Sequence, residues 1–147
     1  MRILGLDYGE SRIGAAISDE SEMIARGLTT LVRKNRQRDL QAVAGIVETH
    51  RIGRIVVGYP LRLDGTEGVQ CEKVRRFAGL LERTFPLPVV CWDETFSTSE
   101  AHEMMIQAKV NRRKRKGVVD RVAAAIILQD YLDAHRKEED DTLLPDR

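Results

Sequence analysis

Two short apolar segments, Ile3 to Tyr8 and Ile13 to Ser18, flank Gly9-Glu10-Ser11-Arg12, so the chain opens on what reads as a β-hairpin. A third extended segment, near Ile24 to Leu31, would complete a meander. From Arg36 the period changes. Leu40, Val43, Ala44 and Val47 recur at helical spacing up to His50, and Ile55 to Gly58 then reads as a buried strand. Val74, Phe77, Ala78 and Leu81 repeat the helical stripe, which Pro86 and Pro88 end before a further strand from Val89 to Trp92. Ser97 and Glu100 have the spacing of a capping box, and Ala101, Met104, Met105 and Ala108 give the helix they open an apolar face. Val118 to His135 is expected to be the closing helix.

A meander followed by alternating helices and strands calls for one mixed five-stranded sheet. Its parallel part is joined by right-handed crossovers and its faces are covered by helices. This order suits an α/β fold of the ribonuclease-H-like architecture. A chain of 147 residues with 42% hydrophobic content suffices for one core and leaves no room for a second full domain. We expect a single domain over residues 1–137, followed by an acidic, disordered tail over residues 138–147. That tail holds five acids and one arginine, so the net charge of +1 conceals a body of +5. No apolar run is long enough to span a bilayer, and Ile3 to Leu6 is too short for the apolar part of a signal peptide. The expected location is the cytoplasm, with no membrane partner. Cys71 and Cys91 have no His or Cys neighbours at ligand spacing and read as reduced packing residues.

Three acidic sites interrupt the apolar pattern. Alternation along the first strand puts Asp7 on one face with Ile3 and Gly5, where a core residue is expected. Asp93 and Glu94 follow a strand at the end where open α/β sheets hold their ligands, and only one of two adjacent residues points to a given face. Asp120 is in register with Ala124, Ile127 and Tyr131, so it shares the buried face of the closing helix. Each acid also has an ordinary structural explanation. Asp7 could start a turn, the Asp93-Glu94 pair could be a polar strand end, and Asp120 could be an N-cap or a charge favoured by the helix dipole. An ionised carboxylate is costly to bury alone, so three of them converging would call for a cation. Mg2+ or Mn2+ meets that need. Two such ions about 3.5–4 Å apart can activate water and stabilise the leaving oxygen of a phosphodiester. Neither His50 nor His102 has an evident place in this scheme.

Positive charge supplies the partner. Lys109, Arg112, Arg113, Lys114, Arg115 and Lys116 form a run broken only by Val110 and Asn111, and it leads into the helix that bears Asp120. Such runs are commonly just solvated loops. Beside a metal cluster, however, a basic arm can hold phosphates, and these residues together with Arg12 are the expected nucleic-acid contacts. Arg33, Lys34, Arg36 and Arg38 could extend the track. The run has no interleaved aromatics and no recognition-helix pattern, so backbone and shape would dominate over base readout. The segment from Val57 to Gly68 joins a strand to a helix through glycines and a proline, and its amides could hold an anion. Within it, Asp64 before Gly65 reads better as a turn residue than as a ligand.

In order along the chain stand Leu6-Asp7-Tyr8-Gly9 with Arg12-Ile13-Gly14, Val57-Gly58-Tyr59-Pro60 with Asp64-Gly65, Asp93-Glu94, and Asp120 with Ala123-Ala124 and Ile127-Leu128-Gln129. As an ordered set, from Met1 to about Asp133, these resemble the YqgF family, also called RuvX. No single piece is specific alone. The resemblance implies a ribonuclease-H-like fold related to the RuvC Holliday-junction resolvase. It also implies a nuclease that matures the 5′ end of pre-16S ribosomal RNA, or one that resolves Holliday junctions. It further implies Asp7, Glu94 and Asp120 as the catalytic and metal-binding acids, with Asp93 as the alternative to Glu94. One departure is visible: the family commonly has an arginine after the paired acids, and this chain has Thr95.

The resulting expectation is a magnesium- or manganese-dependent endonuclease that cuts structured nucleic acid with metal-activated water. Pre-16S rRNA is the first substrate reading and four-way DNA the second. A junction resolvase would want a homodimer to cut symmetrically, whereas an RNA trimming enzyme could act as a monomer. Two readings of other classes stand beside it. Gly5-Leu6-Asp7-Tyr8-Gly9 also looks like the phosphate-binding hairpin of actin- and hexokinase-like ATPases, although those enclose a nucleotide between two domains. A noncatalytic RNA- or protein-binding module would keep the acids for structure alone.

Overall fold

The computed structural model describes residues 1–59, 68–93, 103–104, 106–107 and 118–143. Strands β1 (Arg2–Tyr8) and β2 (Arg12–Ser18) form the expected hairpin. Its turn is closed by Gly9 N–H donating to the Arg12 carbonyl at 2.9 Å. A Cβ at Gly9 would lie 2.7 Å from that same oxygen, so the turn has room only for glycine. β3 (Ala25–Val32) adds the third antiparallel strand. At its end, the Arg33 guanidinium donates to the Gly9 and Glu10 carbonyls at 3.0 and 3.1 Å, which braces the hairpin loop.

Helix α1 (Arg36–His50) begins where Asn35 caps it by accepting from Arg38 N–H at 2.9 Å. It ends on Arg51 in the left-handed region, φ 52°, which turns the chain straight into β4 (Ile52–Tyr59). Helix α2 (Val69–Thr84) leads to β5 (Val89–Asp93). The strands lie in the order β3-β2-β1-β4-β5, with β1, β4 and β5 mutually parallel, so the expected mixed five-stranded sheet is present.

Two departures concern helices. Of the helix expected to open at Ser97, only Glu103, Met104, Ile106 and Gln107 are described. They are helical, but Met104 is 50% exposed and so does not sit on the buried face assigned to it. Ser97, Glu100, Ala101, Met105 and Ala108 lie outside the described residues. The closing helix, α3 (Val118–Leu143), continues past His135 into the segment expected to be a disordered tail. The apolar stripe stops near His135, yet glutamate, lysine and leucine are good helix formers, and the first residue that cannot continue a helix is Pro145. None of the described helices is long and apolar enough to cross a membrane.

The sheet separates two cores. Leu4, Leu6, Ile13, Ala15, Ile55 and Val57 pack on one face against Val43 of α1 and Val74, Phe77 and Leu81 of α2. On the other face, Ile3, Ala16 and Val56 lie under Ala123, Ala124, Ile127, Leu128 and Tyr131 of α3. This second face is floored by glycine. A Cβ at Gly5 would meet Leu128 Cβ at 2.8 Å, and one at Gly58 would meet Ile127 Cδ1 at 2.6 Å. Small residues let the helix settle close to the sheet, with its axis antiparallel to β1: Asp120 lies at Gly14, Leu128 at Gly5, and Tyr131 accepts from Arg54 at 2.8 Å.

Candidate active site

Asp7 is the penultimate residue of β1 and pairs with Gly14 of β2. Residues directly opposite in an antiparallel pair project to the same face. Alternation then settles which face it is, because Gly5 abuts α3 and Asp7 is two residues on. A Cβ built at Gly14 would lie only 1.9 Å from the Asp120 carbonyl oxygen. The first turn of α3 therefore presses its backbone onto the sheet beside Asp7, and only the absence of a side chain at Gly14 permits it. Of the three acidic sites, the two farthest apart in sequence are thus brought together at the C-terminal end of β1.

Asp120 is 2% exposed and sits in the first turn of α3, where the helix dipole favours negative charge. Arg12 donates from Nε to Asp120 Oδ2 at 2.7 Å, the length of a charge-assisted bond. Arg12 and Gly14 are two residues apart in β2 and share a face, so the cation, the glycine and both acids belong to one construction. Its use in holding Asp120 differs from the expected role of Arg12 as a nucleic-acid contact. The carboxylate it holds lies 108 residues away in sequence. Arg12→Ala is expected to lower stability by about 1–2 kcal/mol in urea unfolding. This is less than the roughly 3–5 kcal/mol of a fully buried pair. The discount follows from the Arg12 side chain, which is 25% exposed.

The remaining expected residues divide. Val90 and Trp92 of β5 pack with α3, whereas Val89 packs on the opposite core, and Asp93 follows its alternation. Asp93 pairs with Tyr59 and is exposed on the face away from Asp7 and Asp120. As an alternative to Glu94 it is therefore removed from this cluster by strand parity. Glu94 itself, Asp64, Thr95 and the basic residues Lys109, Arg112, Arg113, Lys114, Arg115 and Lys116 lie outside the described residues. Among the described residues no group of three or more His, Cys, Asp or Glu side chains is placed to hold a metal ion. Asp7 and Asp120 are two hard oxygen donors, the chemistry that Mg2+ and Mn2+ prefer. Asp130, the other buried acid of α3, is accounted for differently, since it accepts from Trp92 Nε1 at 2.9 Å.

Gly14 and the glycine floor escaped the sequence reading. Their signal was present, as glycines recurring inside strands mark close backbone approach.

A family model described as "RuvX: Holliday junction resolvase" matches residues 1–134. The "Putative pre-16S rRNA nuclease" of Syntrophus aciditrophicus (strain SB) is 56% identical over 139 residues, covering 95% of this chain and 93% of that protein. The protein of the same name from Halothermothrix orenii is 47% identical over 137 residues, covering 93% of this chain and 98% of its own length. Among solved structures, T. thermophilus RuvC in complex with Holliday junction substrate superposes with a TM-score of 0.57 at 16% identity, covering 92% of this chain and 96% of that one. The fowlpox virus Holliday junction resolvase gives a TM-score of 0.52 at 14% identity, covering 91% and 99%. At these identities the structural likeness establishes the fold, which is ribonuclease-H-like as expected.

Proposed function

The chain belongs to the RuvX family, and from that membership we propose that it is a metal-dependent endonuclease hydrolysing phosphodiesters of structured nucleic acid, with the 5′ end of pre-16S rRNA as its substrate. The observation that carries this reading is the meeting of Asp7 and Asp120 on one face at the end of β1, enforced by the contact at Gly14. The names of the relatives from Syntrophus and Halothermothrix favour the ribosomal precursor. The description of the family model favours a four-way DNA junction as the second reading. We take residues 1–137 as one nuclease domain working in the cytoplasm, with a homodimer reserved for the junction reading.

Asp7 and Asp120 would hold one or two Mg2+ or Mn2+ ions, with Glu94 as the third ligand. When bound, such ions supply a nucleophilic water and stabilise the charge that develops on the leaving oxygen. The residues of the chain prepare this chemistry. Arg12 fixes one oxygen of Asp120 and so sets the orientation of that carboxylate in advance. Asp7 is held on a strand paired on both sides, which limits its movement. The amino end of α3 adds a positive potential where a scissile phosphate would approach. Lys109 and the cations from Arg112 to Lys116 would grip flanking phosphates.

The test incubates the purified chain with a 5′-extended 16S rRNA precursor and with four-way DNA junctions, each in Mg2+, Mn2+ or EDTA. Metal-dependent cleavage near the RNA 5′ end is the expected result. Symmetric resolution of the junction alone would select the second reading, and metal-independent inertness of both substrates in every buffer would sink the enzymatic one.

A further inference from the structure

On the face of the sheet away from α3, a cleft of about 740 Å3 opens between the β1–β2 hairpin, the start of α1 and the length of α2. Arg33, Arg36, Lys73, Arg75, Arg76 and Arg83 line it. Asp39 is the one acid in that lining, and it is already engaged: Oδ1 accepts from Lys34 N–H at 3.0 Å and Oδ2 lies 3.6 Å from Arg33 Nε. Glu72 and Glu82 of α2 lie outside the lining. Lys73, Arg76 and Arg83 are spaced by three and seven residues, so they form one stripe on an exposed side of α2. Among the described residues they make no ion pair. Like charges so arranged repel one another and are relieved by an incoming polyanion.

The aromatic groups of the cleft decide which part of a polyanion it would read. Tyr8 stacks on Phe77 with ring centroids 4.3 Å apart, and the Arg33 guanidinium lies over the Tyr8 ring at 4.3 Å. Each face of the Tyr8 ring is thus covered, and no open plane is left for a base to stack on. Phosphates remain as the recognisable groups. From Lys73 to Arg83 the helix advances about 15 Å, long enough to face more than one phosphate of a strand laid along it.

We propose that this cleft binds the sugar-phosphate backbone of a nucleic-acid strand, as a second contact surface behind the carboxylate site. It joins that site at the rim of the sheet formed by the C-terminal end of β1, because Tyr8 in the cleft directly follows Asp7 and projects to the other face. A strand crossing that rim past Asp7 would run into the cations. The inference rests on the nucleic-acid reading given above, but its test is independent of cleavage.

Binding is measured in EDTA across a salt series with a labelled single-stranded RNA and a DNA of the same sequence. The double variant Arg76→Ala/Arg83→Ala is compared with Arg2→Ala/Arg51→Gly, which removes the same charge at the N-terminal end of β1 and β4. Glycine is compatible with the φ of 52° at position 51. The cleft pair is expected to weaken binding to both polymers by about tenfold and to reduce the salt slope by about 1.4, while the control pair stays within about twofold of the parent. Equal effects of the two pairs, a loss confined to one polymer, or no binding by the parent would each overturn the proposal. If the cleft pair fails to fold, as judged by its melting curve, Arg36→Gln/Lys73→Gln is read by the same criteria. An inactive protein whose cleft variants still lose affinity would leave this inference standing and remove the nuclease reading.

Discussion

Asp7→Asn is expected to reduce metal-dependent cleavage by at least about three orders of magnitude. Loss of one anionic ligand forfeits several kcal/mol of transition-state stabilisation, and each 1.36 kcal/mol is tenfold in rate. Asparagine preserves the size and most of the hydrogen-bonding capacity of the side chain, and Asp7 is only partly buried at the end of β1. The thermal midpoint should therefore move by no more than a few degrees, and nucleic-acid binding in EDTA should be retained. Asp93→Asn is the matched control, because that carboxylate lies on the opposite face of the sheet. It should leave cleavage within about twofold. Single-turnover rates of Asp7→Asn within tenfold of the parent would show that the carboxylates have been misassigned.

Gly14→Ala should damage both stability and activity. The added methyl would stand 1.9 Å from the Asp120 carbonyl oxygen, a backbone atom that cannot swing aside as a long side chain would. Either the sheet or the first turn of α3 must retreat by more than 1 Å to restore a van der Waals separation. Overpacking of this kind typically costs about 1–3 kcal/mol, and we expect the upper part of that range. The same retreat carries Asp120 away from Arg12 and from the face of Asp7, so cleavage should fall by about 100-fold in the fraction that remains folded. Gly45→Ala supplies the opposite sign. Gly45 lies within α1 with nothing within 4 Å of its added Cβ, so alanine there should stabilise by about 0.5–1 kcal/mol. Urea midpoints of the two variants that moved in the same direction would contradict the close-approach account.

Alternation and periodicity carried the reading of the fold a long way. The hairpin, the change of period at Arg36 and the strand beginning at Val89 were all legible, because burying one face of each element imposes a regular spacing on the residues themselves. Asp120 was legible for the same reason, since its register with Ala124, Ile127 and Tyr131 marks the buried side of α3. Arg12 was not, because an ion pair between residues 108 apart has no local pattern. The far end of α3 was misjudged where the apolar stripe and the backbone helix stop at different residues. The basic cleft was half visible. The stripe of Lys73, Arg76 and Arg83 follows helical spacing, but its union with Arg33 and Arg36 depends on how α1 and α2 lie beside each other on the sheet. The face taken by Asp93 depends on parity along β5, which needs the neighbours Val89, Val90 and Trp92 assigned to their cores first.

The seating of α3 on its glycine floor also has a temporal side. Asp7 leaves the ribosome long before Asp120, and Arg12 waits across 108 residues for the carboxylate it will hold. At roughly 5–20 residues per second, that interval lasts about 5–20 seconds. Throughout it the nascent sheet exposes one bare greasy side and lacks Asp120, the acid that faces Asp7 across Gly14. The chain would thus emerge from the exit tunnel with its candidate site incomplete, and complete it only after its late helix docks.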